Sequence, residues 1–201
     1  MPNARRQRDD TRAFLLVLAG AGLMIAAAYG LGLLFHASPL DRFSLSIADA
    51  LFGAAATGPL VLVLFWFMRT DIRALARFRR SQIDFFADIG FKFTPLRMAL
   101  LALAAGVSEE LLFRGVFQSW IERGMPLVWA IVLPNILFGA LHARTSLYAF
   151  IAGLVGVYMG VLFAATGNVL APIVTHAIYD WVALVVTQRA IENRAAGKPA
   201  L

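Results

Sequence analysis

The sequence contains no cysteine, which removes disulfides, thiolate nucleophiles and cysteine-ligated zinc or iron–sulfur centres; any metal would have to be held by histidine and carboxylate. Charge is also scarce. Only 15% of the 201 residues are Asp, Glu, Lys or Arg, against 60% hydrophobic, and the mean hydropathy is +0.75. That balance lies outside the range of an ordinary soluble domain and indicates an integral membrane protein. Internal repeats, low-complexity tracts and a second globular domain are all lacking. The net charge of +6 does not point to nucleic acid, because no aromatic-basic interleaving and no nucleic-acid motif accompanies it; no nucleic-acid partner is expected.

What is present are long apolar runs. A spanning helix needs roughly 20 apolar residues, and six candidates can be read: Ala13–Phe35, Ala48–Met68, Met98–Trp120, Pro126–His142, Ser146–Ala165 and Val169–Thr187. The first is too long for the core of a signal peptide and reads as an uncleaved first helix. The expected fold class is therefore all-α, a polytopic membrane bundle of about six helices. The basic residues orient it. Arg5, Arg6, Arg8 and Arg12 precede the first run; Arg69, Arg73, Arg77, Arg79, Arg80, Lys92 and Arg97 separate the second from the third; Arg144 follows the fourth, and Arg189, Arg194 and Lys198 follow the sixth. Only Arg42 and Arg123 fall on the opposite side, and Arg114 lies within a run. The positive-inside rule then places both termini in the cytoplasm.

Between the second and third runs, Ile72, Leu75, Ala76, Ile83 and Phe86 fall near one helical face and Arg73, Arg77, Arg80 and Asp84 near another. This predicts an interfacial helix against the anionic cytoplasmic leaflet, with its arginines at headgroup level; the alternative is a solvated basic loop that only fixes topology. The expected organisation is a two-helix part with this basic loop over 1–97, a four-helix core over 98–187 and a polar tail over 188–201, frayed from Ile191 onward.

Three places break the apolar pattern. In Ser108-Glu109-Glu110-Leu-Leu-Phe-Arg114, two carboxylates and a guanidinium fall inside a span, where an ionised group costs a few kcal/mol unless it faces a protein interior or a watery cavity. Glu110 and Arg114 are four apart and share a face, so they can pair; Glu109, turned about 100° away, is free to point elsewhere. Phe138 and His142 recur at the same spacing, as do His176 and Asp180. In the last pair, Asp180 can orient His176 or share its proton. His142 alone would read as a helix-bridging or interfacial residue, and Glu110–Arg114 alone as a structural ion pair. Glu109, His142 and His176 together need a common reason, and handling water is one. His36, at an outer helix end without an evident partner, is given no role. Gly139 beside Ala140, and Gly153, Gly156 and Gly160, allow close helix approach. Pro134 and Pro172 are expected to kink their helices and free carbonyls near the site.

Glu109-Glu110-x-x-x-Arg114, Phe138-x-x-x-His142 and His176-x-x-x-Asp180, in this order and each in a separate apolar run, resemble the motifs of the CPBP family of intramembrane proteases. That family includes the type II CAAX prenyl endopeptidases and bacterial relatives tied to bacteriocin immunity. The resemblance covers about Met98–Thr187. It implies peptide-bond hydrolysis in a cavity open to the cytoplasm, with Glu109 and His142 activating water, His176 and Asp180 at the oxyanion, and Glu110 and Arg114 bracing them. It also implies that Glu109, His142 and His176 would be the ligands if a catalytic zinc ion, Zn2+, is used; a metal-free glutamate mechanism uses the same atoms. The family pattern carries Asn where this chain has Asp180, and an ionised aspartate cannot donate to an oxyanion, so Asp180 would have to be protonated, bind metal or only orient His176. The substrate implied is a peptide or lipidated peptide, and the setting a bacterial cytoplasmic membrane. Two other readings compete: a non-catalytic immunity or scaffold protein, for which Glu109 is dispensable, and a small proton-coupled carrier, against which stands the lack of inverted-repeat symmetry.

Overall fold

The computed structural model describes residues 2–198, with side chains from Asp9 onward. The arginines at 5, 6 and 8 are thus described in backbone only, and residues 199–201 of the tail lie outside the described residues. The described chain is all helix, turn and loop: α1 (Pro2–Leu34), α2 (Ile47–Arg69), α3 (Arg73–Ala87), α4 (Pro95–Glu110), a π-helical segment (Leu111–Gln118), α5 (Ser119–Ile121), α6 (Leu127–Leu141), α7 (Ser146–Thr166) and α8 (Leu170–Ala195).

The helix boundaries follow local chemistry. Ser46, Thr94 and Thr145 each precede a helix and accept a hydrogen bond from the backbone N–H three residues on, which satisfies a donor that the first turn leaves without an intrahelical partner. Pro95 follows Thr94 at the first helical position, where its missing N–H costs nothing. α7 ends on Gly167 at φ +66°, the left-handed conformation that glycine adopts without strain.

Among the described residues, four helices are long and apolar enough to cross a membrane: Asp9–Leu34, Ile47–Arg69, Ser146–Thr166 and Leu170–Ala195. α6 is apolar but has 15 residues, and the third expected span coincides with the continuous run of α4, the π segment and α5. α3 forms where the amphipathic pattern predicts a helix, burying Ala76 and Ile83. It packs on α8 and α2 in a cluster with Leu64, Met68, Val186 and Ala190.

Two expectations need correction. The tail is not frayed from Ile191: α8 continues to Ala195, held by a Gln188–Glu192 hydrogen bond of 2.8 Å and an Arg194–Asp84 ion pair to α3. Pro172 does not kink α8, because it stands in the first turn, where no intrahelical partner for its nitrogen exists. Pro134, by contrast, is inside α6 and buried.

Small residues set the helix spacing. A Cβ on Gly53 of α2 would stand 2.4 Å from the Ala171 carbonyl oxygen of α8, and one on Gly139 of α6 would stand 2.5 Å from the Ala149 carbonyl oxygen of α7. These contacts allow the α2–α8 and α6–α7 pairs to pack so closely, and Thr175 Oγ fastens the first by donating to the Gly53 carbonyl at 2.8 Å. α8 therefore sits between α2 and α4. Its His176 face meets the end of α4, where the paired glutamates lie.

Candidate active site

The site is built on a change of helix type. α4 gives way at Leu111 to a π helix, a form often found at functional sites. Arg114 closes the widened turn, its carbonyl accepting from the Ser119 N–H, five residues on, and from Ser119 Oγ at 2.8 Å. Every residue from Glu110 to Val116 is buried. An element enclosed all round can direct a charged side chain only at other protein groups.

Arg114, 1% exposed, is aimed at three of them. Its Nη1 lies 3.1 Å and 3.0 Å from the two oxygens of Glu110. Its Nη2 donates to Asn135 Oδ1 at 3.0 Å and to the Gly156 carbonyl. The expected Glu110–Arg114 pair is therefore present, and α6 and α7 hold its far side. Desolvating two charges is costly, and the pairing with further hydrogen bonds is what offsets that cost.

Glu110 has a second partner. His176 Nδ1 lies 2.7 Å from Glu110 Oε1, and because a carboxylate only accepts, Nδ1 carries the proton and donates it. The other ring nitrogen, Nε2, faces Asp180 Oδ2 at 3.5 Å and Glu109 Oε2 at 3.8 Å. Both separations exceed a direct hydrogen bond. Asp180, one turn along α8, is near the imidazole as the spacing predicts, but Glu110 holds it. Glu109 is turned away from Arg114 and toward His176, as the helical wheel requires, and its side chain keeps 15% exposure while that of Glu110 has none.

His142 closes α6 as its C-terminal cap. Its Nδ1 is 2.8 Å from the Phe138 carbonyl oxygen, so that nitrogen carries the proton and Nε2 holds the lone pair. Its ring stacks on Phe138, with centroids 4.4 Å apart, and meets Tyr148 edge-on at 5.8 Å. Phe138 in turn packs edge-to-face against Phe113 of the π segment at 4.9 Å. The structure thus brings Glu109, Glu110, Arg114, His176 and Asp180 into direct contact or near contact, and His142 is tied to the π segment through Phe138. His36 stands apart, at φ +53° just beyond the C-terminal end of α1, and its carbonyl accepts from Arg123 at 2.7 Å.

Sequence reading missed Asn135 and Gln118. Asn135 is 2% exposed and donates to the Ile131 carbonyl at 2.6 Å as well as accepting from Arg114. Gln118 donates to the Gly160 carbonyl at 3.0 Å and to Glu122 at 3.2 Å, and Glu122 pairs with Arg42. The available signal was a polar residue every fourth position, Glu110, Arg114, Gln118 and Glu122, and one amide in the wholly apolar α6.

Among the described residues, no group of three or more His, Asp or Glu side chains is arranged to hold a metal ion. Each histidine has its Nδ1 engaged, His142 by the Phe138 carbonyl and His176 by Glu110, which leaves the two Nε2 atoms as the nitrogens that face outward from these contacts. An open apolar groove of about 200 Å³ between α4 and α8, lined by Ala99, Ala102, Leu103, Ala177, Ile178 and Trp181, offers contact surface and no reactive group.

Residues 91–182 match the family model described as Rce1-like, type II CAAX prenyl endopeptidase. No curated protein and no solved structure matches the chain.

Proposed function

With residues 91–182 supported as a CPBP/CAAX protease family segment, a family that suggests CAAX-type intramembrane protease activity, we propose that this integral membrane protein is an endopeptidase using Glu109, His142, His176 and Asp180. The observation that carries the reading is the buried contact of Glu110 with both Arg114 and His176, 2.7 Å from the imidazole. It joins the first and third sequence motifs, and the Phe113–Phe138 contact at 4.9 Å brings the second against them.

In the proposed reaction Glu109, the more exposed carboxylate, takes a proton from water as the oxygen attacks the scissile carbonyl carbon. His142, with Nε2 as its free acceptor, holds that water from the other side. The carbonyl π electrons move to oxygen, and doubly protonated His176, fixed by Glu110 through Nδ1, donates from Nε2 to the oxyanion. Collapse of the intermediate breaks the C–N bond, and the departing amine takes the proton from Glu109. Asp180 orients the imidazole and does not itself donate. Arg114 holds Glu110 in place, and Phe138 supports the His142 ring.

The same proposal includes six spans with both termini in the cytoplasm, a site reached from that side of a bacterial cytoplasmic membrane, and α3 resting on anionic lipid. The substrate class is a peptide, lipidated or not. Zinc dependence would require Glu109, His142 and His176 to rearrange, and no step above is routed through a metal. The test is cleavage of prenylated and unprenylated peptide libraries by the purified protein in liposomes, with and without chelator. Wild-type cleavage that vanishes in Glu109→Ala supports the reading. A folded wild type that cleaves nothing, with a cellular phenotype that survives Glu109→Ala, would favour the immunity or scaffold role.

A further inference from the structure

Arg114 has five N–H groups and no freedom to reach water, so the groups that receive them decide where its charge sits. Toward the site it meets Glu110. On the far side its Nη2 is received by Asn135 Oδ1 at 3.0 Å and by the Gly156 carbonyl. Asn135 is itself pinned, because its Nδ2 donates to Ile131 one turn back at 2.6 Å. It also fits a space that only glycine leaves open: a Cβ at position 156 would stand 2.2 Å from Asn135 Oδ1. A buried amide in an apolar helix carries a desolvation cost of a few kcal/mol if unpaired, and here both of its ends are engaged.

Four contacts in series lead from this amide to the imidazole: Gly156 leaves room for Asn135, Asn135 fixes Nη2, Nη1 fixes Glu110, and Glu110 accepts from His176 Nδ1. They cross from α7 to α6, the π segment, α4 and α8. We propose that Asn135, seated against Gly156, is a positioning residue that sets the His176 ring through Arg114 and Glu110, so that Nδ1 carries the inward proton and Nε2 is presented to Glu109 and Asp180. This rests on the protease reading for its kinetic consequence, but not for its structural one. A misplacement of about 1 Å at a reacting group can cost of order 100-fold in rate. Asn135 touches no reacting atom, so its loss lowers kcat and leaves KM nearly unchanged.

The experiment uses the full chain in nanodiscs. Asn135→Leu removes the acceptor at nearly the same volume. Asn135→Asp keeps an acceptor for Arg114 and gives up the donor to Ile131. Gly156→Ala pushes on Asn135 Oδ1 without altering it. Each is read by cleavage kinetics and by ¹⁵N spectra of histidine-labelled protein, which contain only three imidazoles. The expected result is a kcat lowered about 10- to 100-fold in Asn135→Leu, most of it recovered in Asn135→Asp, with the signal of the His176 Nδ1–H hydrogen bond to Glu110 lost in the first and kept in the second. Gly156→Ala should fall between them. An unchanged His176 signal in Asn135→Leu and Gly156→Ala, or equal kinetics in Asn135→Leu and Asn135→Asp, would overturn the proposal. If Asn135→Leu does not fold, the Asn135→Asp and Gly156→Ala pair decides it. If the wild type cleaves nothing, the protease reading fails while the comparison of the His176 Nδ1–H hydrogen bond still tests the positioning.

Discussion

The Oε1 oxygen of Glu110 lies 2.7 Å from His176 Nδ1, so the second glutamate of the pair, not the aspartate one turn along α8, holds the imidazole. Glu110 thereby binds a guanidinium from its own helix and a histidine from another. The two adjacent glutamates have diverged in environment: one fully buried and shared between two partners, the other partly open and aimed at Nε2.

That arrangement predicts a large stability cost for breaking the buried pair. Glu110→Gln keeps an acceptor for His176 but leaves Arg114 without its counter-charge, and should destabilise the protein by about 3–5 kcal/mol. Equilibrium unfolding in mixed micelles measures it. A loss below about 1 kcal/mol, the range of exposed ion pairs, would contradict the burial described here.

Asp180 should tolerate the amide found in the family pattern. If it only orients His176, Asp180→Asn keeps cleavage within about threefold, whereas Asp180→Ala loses roughly tenfold or more. Equal inactivation by both changes would mean that an ionised carboxylate is required at this position.

Close packing of α2 on α8 gives a paired prediction. Gly53→Ala directs a methyl at the Ala171 carbonyl oxygen and should cost about 1–3 kcal/mol. Gly58→Ala, five residues along the same helix with nothing within 4 Å of the added carbon, should leave stability unchanged or raise it. The two thermal midpoints, compared in one detergent, test whether the contact at Gly53 sets the helix spacing.

Orientation can be read directly because the chain has no cysteine. Gly124→Cys, in the exposed turn between α5 and α6, should react with a membrane-impermeant maleimide in intact cells. Asp88→Cys, at the exposed end of α3, should react only after permeabilisation. The reverse pattern would invert the topology inferred from the arginines.

Much of the site was legible because it is written in helix periodicity. Four-residue spacing places Glu110 on Arg114 and His176 near Asp180, and it turns Glu109 away. The Glu110–His176 and Arg114–Asn135 contacts span 66 and 21 residues, so they depend on how α8 and α6 dock and no local pattern encodes them. The π segment was hidden for a related reason: its apolar residues would suit an α helix equally well, and the extra width matters only once Phe113, Arg114 and Val116 are buried on all sides. Membrane spans followed from composition, while the 15-residue α6 and the long α8, running on to Ala195, depend on caps and on pairing with α3.

In the proposed mechanism Glu109 and His142 together activate water for peptide hydrolysis. The most direct test is a single-turnover cleavage assay on purified wild type, Glu109→Ala and His142→Ala in liposomes, with folding of each verified by unfolding midpoint and each run with and without chelator. The wild type should cleave, and both variants should lose cleavage by a factor of at least about 100 at unchanged fold. Cleavage that persists in a folded Glu109→Ala variant would contradict that mechanism.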